Sequence, residues 1–188
     1  EDIALMRVLP NMVVLTPADA NECAAAIAAA YSHDGPVYIR TTRPDTPIFL
    51  KPAELEIGRA QVLRDGRHAT ICACGIQVWD ALMVAEELAR EGAEVEVINV
   101  STIKPLDQST ILMSAQKTKK VITIEDHQIN GGLGSAVAEL LGEKLPIRMR
   151  RIGVRDRFGV SGEWDLVYRE VGLDKGSLKK AVIDYLHE

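Results

Sequence analysis

Ile39-Arg40-Thr41-Thr42-Arg43-Pro44 sets two guanidinium groups three residues apart at the end of an apolar, strand-like run. A guanidinium can hold a phosphate through two parallel hydrogen bonds. Ligands of open α/β sheets gather outside the carboxyl ends of the strands. From the residues alone, an ion pair between neighbouring parts of the protein is the favoured employment of Arg40 and Arg43. A second candidate is Val121-Ile122-Thr123-Ile124-Glu125-Asp126-His127 followed by Gly131-Gly132-Leu133-Gly134-Ser135. Strand, glycine loop and helix in that order can present backbone N–H groups to a phosphate. Val137 stands where the third glycine of a dinucleotide fingerprint belongs, so close helix–sheet packing is favoured over a ligand. Glu125, Asp126 and His127 carry acid–base side chains. No second catalytic cluster can be placed beside them, and His127 is expected to be a hydrogen-bonding structural residue. In Asp156-Arg157-Phe158-Gly159-Val160-Ser161-Gly162, a loop leads into a helix that Ser161 is placed to cap, with Phe158 expected to anchor the turn. No nucleophile elbow, Walker loop or metal-ligand set is present.

The elements that would position these groups follow from periodicity. Ile3, Leu5, Met6 and Leu9 predict the end of a helix stopped at Pro10, and Met12–Leu15 a short buried strand. Asp19 and Glu22 have capping-box spacing and open an Ala-rich helix to Tyr31, which Asp34-Gly35-Pro36 ends. Val37–Thr41 is the next strand. Residues 1–43 therefore give helix, strand, helix and strand, too little to cover both faces of a parallel sheet. That segment must lean on other structure. Pro44, Pro47 and Pro52 mark a connecting stretch and a domain boundary. The pattern restarts at Gly58. Arg59–Leu63 and His68–Cys74 read as strands joined in a hairpin by Asp65-Gly66. Further strands are expected at Val95–Val100, Val121–Glu125 and Ile147–Ile152, with helices at Val78–Arg90, Pro105–Gln116, Gly134–Leu141, Glu163–Val171 and Asp174–His187. Alternating strands and helices predict an α/β fold with three layers, α/β/α. Its five-stranded sheet is mostly parallel with one antiparallel edge strand. A partial α/β domain precedes it. The division is residues 1–49, a linker at 50–57 and a domain at 58–188.

Composition narrows the function. The chain has 188 residues, 26% of them charged, and a net charge of −5. Its densest basic stretch, Arg148, Arg150, Arg151, Arg155 and Arg157, reads as a solvated or interdomain face, and no nucleic-acid footprint is expected. No run of 18 apolar residues occurs and no membrane association is expected. Cys72 and Cys74 lie on one side of a strand, about 6.5–7 Å apart, at the edge of disulfide reach. Buried free thiols and a cytoplasmic location are expected. The start at Glu1, with no signal peptide visible, reads as a processed or truncated product.

Taken together, the segments resemble transketolase along essentially the whole chain. They are Glu1-Asp2-Ile3-Ala4-Leu5-Met6-Arg7, Thr16-Pro17-Ala18-Asp19, Ile39–Pro44, Thr102-Ile103-Lys104-Pro105-Leu106-Asp107, Ile124–His127 with Gly131–Gly134, and Arg157–Gly162. The resemblance implies the end of a pyrimidine-binding domain followed by the C-terminal domain. It implies transfer of a two-carbon ketol unit between sugar phosphates in the pentose phosphate pathway, with thiamine diphosphate and magnesium, at sites between two subunits of a homodimer. The Gly-Asp-Gly metal motif is absent, and the activating glutamate and the substrate-binding His and Asp would precede Glu1. No catalytic, cofactor-binding or metal residue is therefore carried over, and no cofactor is expected on this chain alone. One role transfers: Arg43 as the arginine that binds the sugar phosphate, which reverses the ion-pair reading for that residue but not for Arg40. The implied partner is an N-terminal transketolase region or subunit, without which the chain would be inactive and serve assembly, dimerisation and sugar-phosphate binding. The rivals are a sister thiamine diphosphate enzyme (deoxyxylulose phosphate synthase or the beta subunit of a 2-oxo acid dehydrogenase) and a stand-alone module binding a nucleotide at Gly131–Gly134.

Overall fold

The computed structural model describes residues 1–188. In chain order the elements are α1 (Asp2–Arg7), β1 (Val13–Leu15), α2 (Ala20–Ser32), β2 (Val37–Ile39), β3 (Gln61–Arg64), β4 (Ala69–Ala73), α3 (Gln77–Arg90), β5 (Val95–Asn99), β6 (Thr102–Lys104), α4 (Gln108–Thr118), β7 (Val121–Gln128), α5 (Leu133–Lys144), β8 (Met149–Val154), α6 (Trp164–Val171) and α7 (Lys175–Leu186). The larger sheet has the order β3-β5-β4-β7-β8, parallel except for β3. It is the expected five-stranded sheet with one antiparallel edge.

Strand alternation sorts the core into two sides. Ile71, Ala73, Val95, Val97, Ile122 and Ile124 face one way, against α3 and α7 through Val78, Leu88, Leu178 and Val182. Cys72, Cys74, Ile98 and Val121 face the other way, against α4 and α5 through Ile111, Ala115, Val137 and Leu141. Both faces of β4 and β5 are covered, which is why these strands read as nearly continuous apolar runs. Full burial of a side chain such as Ile71 or Leu88 contributes about 1.5–3 kcal/mol.

The expected hairpin is not there. β3 pairs with β5, not with β4, and β5 lies between the two. The Asp65-Gly66 turn instead crosses the start of β5. Arg67 and His68 donate their backbone N–H groups to the Glu94 carbonyl at 3.0 and 2.9 Å. A Cβ on Gly66 would lie 2.2 Å from the Glu96 nitrogen. The glycine is there for close backbone approach, not for a two-residue turn.

A second, three-stranded sheet has the order β2-β1-β6, with β1 parallel to β2 and antiparallel to β6. Strand β6 was not foreseen. It leaves the end of β5 and adds itself to the N-terminal strands, so the first forty residues lean on the rest of the chain. Ile3 and Val14 enter the same core as α4 and α5.

Candidate functional site

Strand β2 runs out into Arg40, whose N–H still bonds the Leu15 carbonyl at 2.8 Å. From there the two arginines part. Arg43 is exposed and lines an open cleft of about 420 Å³ with Pro17, Ala20, Cys23, Thr42 and Thr46. The cleft lies beyond the carboxyl ends of β1 and β2, where open α/β sheets hold ligands. Helix α2 starts at its wall. Asp19 accepts the Glu22 N–H at 2.9 Å, and its other oxygen accepts the Phe49 and Leu50 N–H groups at 2.9 and 2.7 Å. The predicted cap thus also ties the segment after Arg43 back onto the helix.

Arg40 turns inward. Its guanidinium donates to Asp126 Oδ1 at 2.7 Å, to the Asp126 carbonyl at 3.0 Å and to Asp2 Oδ2 at 3.0 Å. Tyr38 donates to Asp2 at 2.8 Å and Tyr168 to Asp126 at 3.0 Å. Burial opposes the Arg40 charge, but the Asp126 and Asp2 carboxylates more than offset it, and its pKa is raised. This is the ion pair expected from residue type. It joins α1, β2, β7 and α6 in one network.

The glycine loop is already filled by the chain itself. Glu125, fully buried, accepts the Leu133 N–H at 2.7 Å and the Gly134 N–H at 2.8 Å, so a carboxylate of β7 occupies the N-terminus of α5 where a phosphate would have to bind. Arg7 donates to the carbonyls of Gly131 and Gly132 at 2.6 and 3.3 Å. A Cβ on Gly132 would stand 2.0 Å from Glu125 Oε2, and one on Gly134 would stand 2.9 Å from Thr123 Oγ1 and Arg151 Cδ. The glycines serve packing, as favoured from their spacing. Burial pushes the Glu125 carboxyl up to about 7 against those two N–H bonds, and burial lowers the pKa of His127. The His127 Nδ1–H points to the Gln128 carbonyl at 2.7 Å, and Nε2 accepts the Ala4 N–H at 3.5 Å. Glu125, Asp126 and His127 lie within β7, and the Glu125 and His127 side chains are fully buried.

Two readings of the C-terminal loop need correction. Ser161 does not cap α6: Glu163 takes the N-cap position without a side-chain bond. Phe158 anchors nothing, because it is 96% exposed. The basic stretch is largely used within the chain, with Arg148 and Arg150 on Glu188 and Arg157 against Glu170. Cys72 and Cys74 are buried free thiols on one side of β4. The structure holds no group of three or more His, Cys, Asp or Glu placed to bind a metal ion.

One feature escaped the sequence reading. The carboxyl ends of β4 and β5, the other place where a ligand would sit, are covered by residues 16–19. Gly75 donates its N–H to the Thr16 carbonyl at 3.1 Å, and Thr16 donates to Ser101 at 2.7 Å. Ala18 joins the core of the larger sheet. The signal was the unbroken burial potential of Leu15 to Ala18, which no local rule assigns to a partner sheet.

Known proteins resemble this chain throughout. The family described as "Transketolase, C-terminal domain" matches residues 58–178, and "Transketolase, pyrimidine binding domain" matches residues 1–48. The 6-deoxy-6-sulfo-D-fructose transketolase subunit SqwH of Clostridium sp. is 46% identical over 182 residues, 96% of this chain and 56% of the relative. A putative transketolase C-terminal section of Methanocaldococcus jannaschii is 41% identical over 98% of this chain and 58% of its own length. The 1-deoxy-D-xylulose-5-phosphate synthase of Syntrophotalea carbinolica is 37% identical over 99% of this chain, which covers 30% of it. Among solved structures, a split gene transketolase described as an inactive beta4 tetramer superposes with a TM-score of 0.96 at 42% identity, covering 100% of this chain and 62% of that one. The chain thus spans little more than half the length of the first two relatives.

Proposed function

This chain belongs to the transketolase family, and from that premise we propose that it is the C-terminal section of an enzyme moving a two-carbon ketol unit between sugar phosphates. Residues 1–49 serve as the end of its pyrimidine-binding domain, 50–57 as a linker and 58–188 as the C-terminal domain. Thiamine diphosphate and magnesium are held by an N-terminal region or subunit, and this chain supplies assembly and one end of the substrate site. It works in the cytoplasm, as part of a homodimeric arrangement of active sites.

The observation that carries the reading is the division of labour between two arginines. Arg40 is consumed by Asp2 and Asp126, whereas Arg43 stands exposed over a cleft at the carboxyl ends of β1 and β2. An exposed guanidinium there is suited to the terminal anion of a sugar. In the assembled enzyme, Arg43→Ala should raise the Michaelis constant for phosphorylated sugars. Loss of a charge-assisted bond costs about 1.5–3 kcal/mol, roughly 10- to 150-fold. Unchanged kinetics with both donor and acceptor sugars would remove Arg43 from the site.

A second reading concerns that anion. The relative at 46% identity is named for a sulfonated sugar, so the group facing Arg43 is a sulfonate in place of a phosphate. Sulfonate and phosphate present similar oxygens to a guanidinium but differ in charge. Comparing kcat/KM for xylulose 5-phosphate and 6-deoxy-6-sulfofructose as donors decides between them.

A further inference from the structure

Arg43 stands on a segment that has little grip of its own. Residues 41–48 form no helix or strand and make no backbone hydrogen bond within the chain. Their course is therefore decided at the two ends. At the far end, Asp19 accepts the Phe49 and Leu50 N–H groups at 2.9 and 2.7 Å. At the near end, Arg40 is held twice: its backbone N–H meets the Leu15 carbonyl at 2.8 Å, and its guanidinium meets Asp126 and Asp2. Pro44 and Pro47 stiffen the span between, since each ring fixes its own φ. A shift of the Arg40 end is passed on to Arg43, three residues away.

The near clamp is built mainly by the larger sheet. Asp126 of β7 takes the Arg40 guanidinium on Oδ1 at 2.7 Å and on its carbonyl at 3.0 Å, and its Oδ2 accepts the Tyr168 hydroxyl of α6 at 3.0 Å. Asp2 is the lesser anchor. Its side chain is 36% exposed against 12% for Asp126, and its bond to Arg40 is the longer at 3.0 Å. An ion pair shielded from water is the stronger. A support whose own side chain is fixed by a further hydrogen bond holds a binding group more closely. We propose that Asp126 is a positioning residue for the anionic end of the sugar. Acting through Arg40, it fixes the start of residues 41–48 and so the reach of Arg43 into its cleft, while touching no substrate itself. The proposal rests on the reading of Arg43 given above, and it gives the larger sheet a part in substrate recognition.

Two substrate pairs test it in the assembled enzyme. Xylulose 5-phosphate with ribose 5-phosphate carries terminal anions (6-deoxy-6-sulfofructose serves as donor where the parent prefers it). Erythrulose with glycolaldehyde carries none. Asp126→Asn keeps the size of the side chain and an acceptor oxygen but removes the charge. It should lower kcat/KM for the anionic pair, through KM, about 10-fold more than for the uncharged pair. On an Arg43→Ala background, where the group being positioned is gone, it should add little to the loss of that preference. Tyr168→Phe frees one oxygen of Asp126 and should give a smaller loss of the same kind. It carries the test if Asp126→Asn does not assemble. An equal loss with both pairs, no loss, or a loss that persists in full on the Arg43→Ala background overturns the positioning role and leaves Arg43 in the site. An Arg43→Ala enzyme with the parent's preference for the anionic pair overturns the reading of Arg43, and this proposal with it.

Discussion

Arg40 and Arg43 leave the same strand three positions apart and meet opposite surroundings. Sequence offered phosphate binding or an ion pair for both, and only the fold assigns Arg40 to the pair, because Asp126 comes from a strand 86 residues away. Removing the guanidinium strands a largely buried carboxylate. Arg40→Met should therefore destabilise the chain by about 3–5 kcal/mol, seen as an early transition in urea. A variant with the parent's midpoint would show that the pair is dispensable. Glu125 and His127 make a second prediction. The folded-state pKa of Glu125 is raised from 4.5 to about 7, so its contribution to stability is present below about pH 4.5 and is lost as pH rises through 7, on the order of 3 kcal/mol. His127 acts with the opposite sign: its folded pKa is lowered, so its contribution is lost as pH falls below about 6.5. Glu125→Gln should lower the melting temperature overall, since its amide N–H₂ faces the Leu133 or Gly134 N–H, yet abolish the decline between pH 5 and 8. The same alkaline decline in the variant would contradict this assignment.

At the scale of elements, local chemistry was legible where it acts locally. Asp19, Asp107 and Asp174 cap α2, α4 and α7 with their own side chains, as their spacing before helical runs implies. It misled where a tertiary neighbour takes over. Asp65-Gly66 has hairpin composition, but the slot beside β3 goes to β5, and the glycine serves the crossing. β6 was invisible because Thr102-Ile103-Lys104 holds a single apolar residue, where β1 and β2, equally short, are apolar runs. The glycines of the β7–α5 loop were read as packing residues, and the structure gives the reason in distances. Gly134→Val should cost folding more than turnover, by about 1–3 kcal/mol or more, because its side chain enters the space of Thr123 and Arg151. The check is the melting temperature beside kcat in the assembled enzyme. A stable but inactive variant would place the loop in the chemistry after all.

At the scale of the molecule, two sheets are fastened through β6, through the Arg40 network and through residues 16–19 laid over the carboxyl ends of β4 and β5. The alternation of strands and helices made the larger sheet readable, while its antiparallel edge was expected through a β3–β4 hairpin and is formed instead by β3 on β5. The fastening was not, since it depends on contacts between distant segments with no shared spacing. A nucleotide module is disfavoured here for a physical reason: the N-terminus of α5 is satisfied by Glu125, and the crevice of the larger sheet is closed by the chain itself.

What remains open to direct test is that this scaffold completes an enzyme whose chemical groups lie elsewhere. The measurement is ketol transfer from xylulose 5-phosphate to ribose 5-phosphate with thiamine diphosphate and magnesium. It is run on this chain alone and on this chain mixed with an N-terminal partner carrying the Gly-Asp-Gly motif and the rest of the pyrimidine domain. Turnover in the mixture and none in either part alone is the predicted result. No turnover in a mixture shown to be folded and associated, or turnover by this chain alone, would contradict the account.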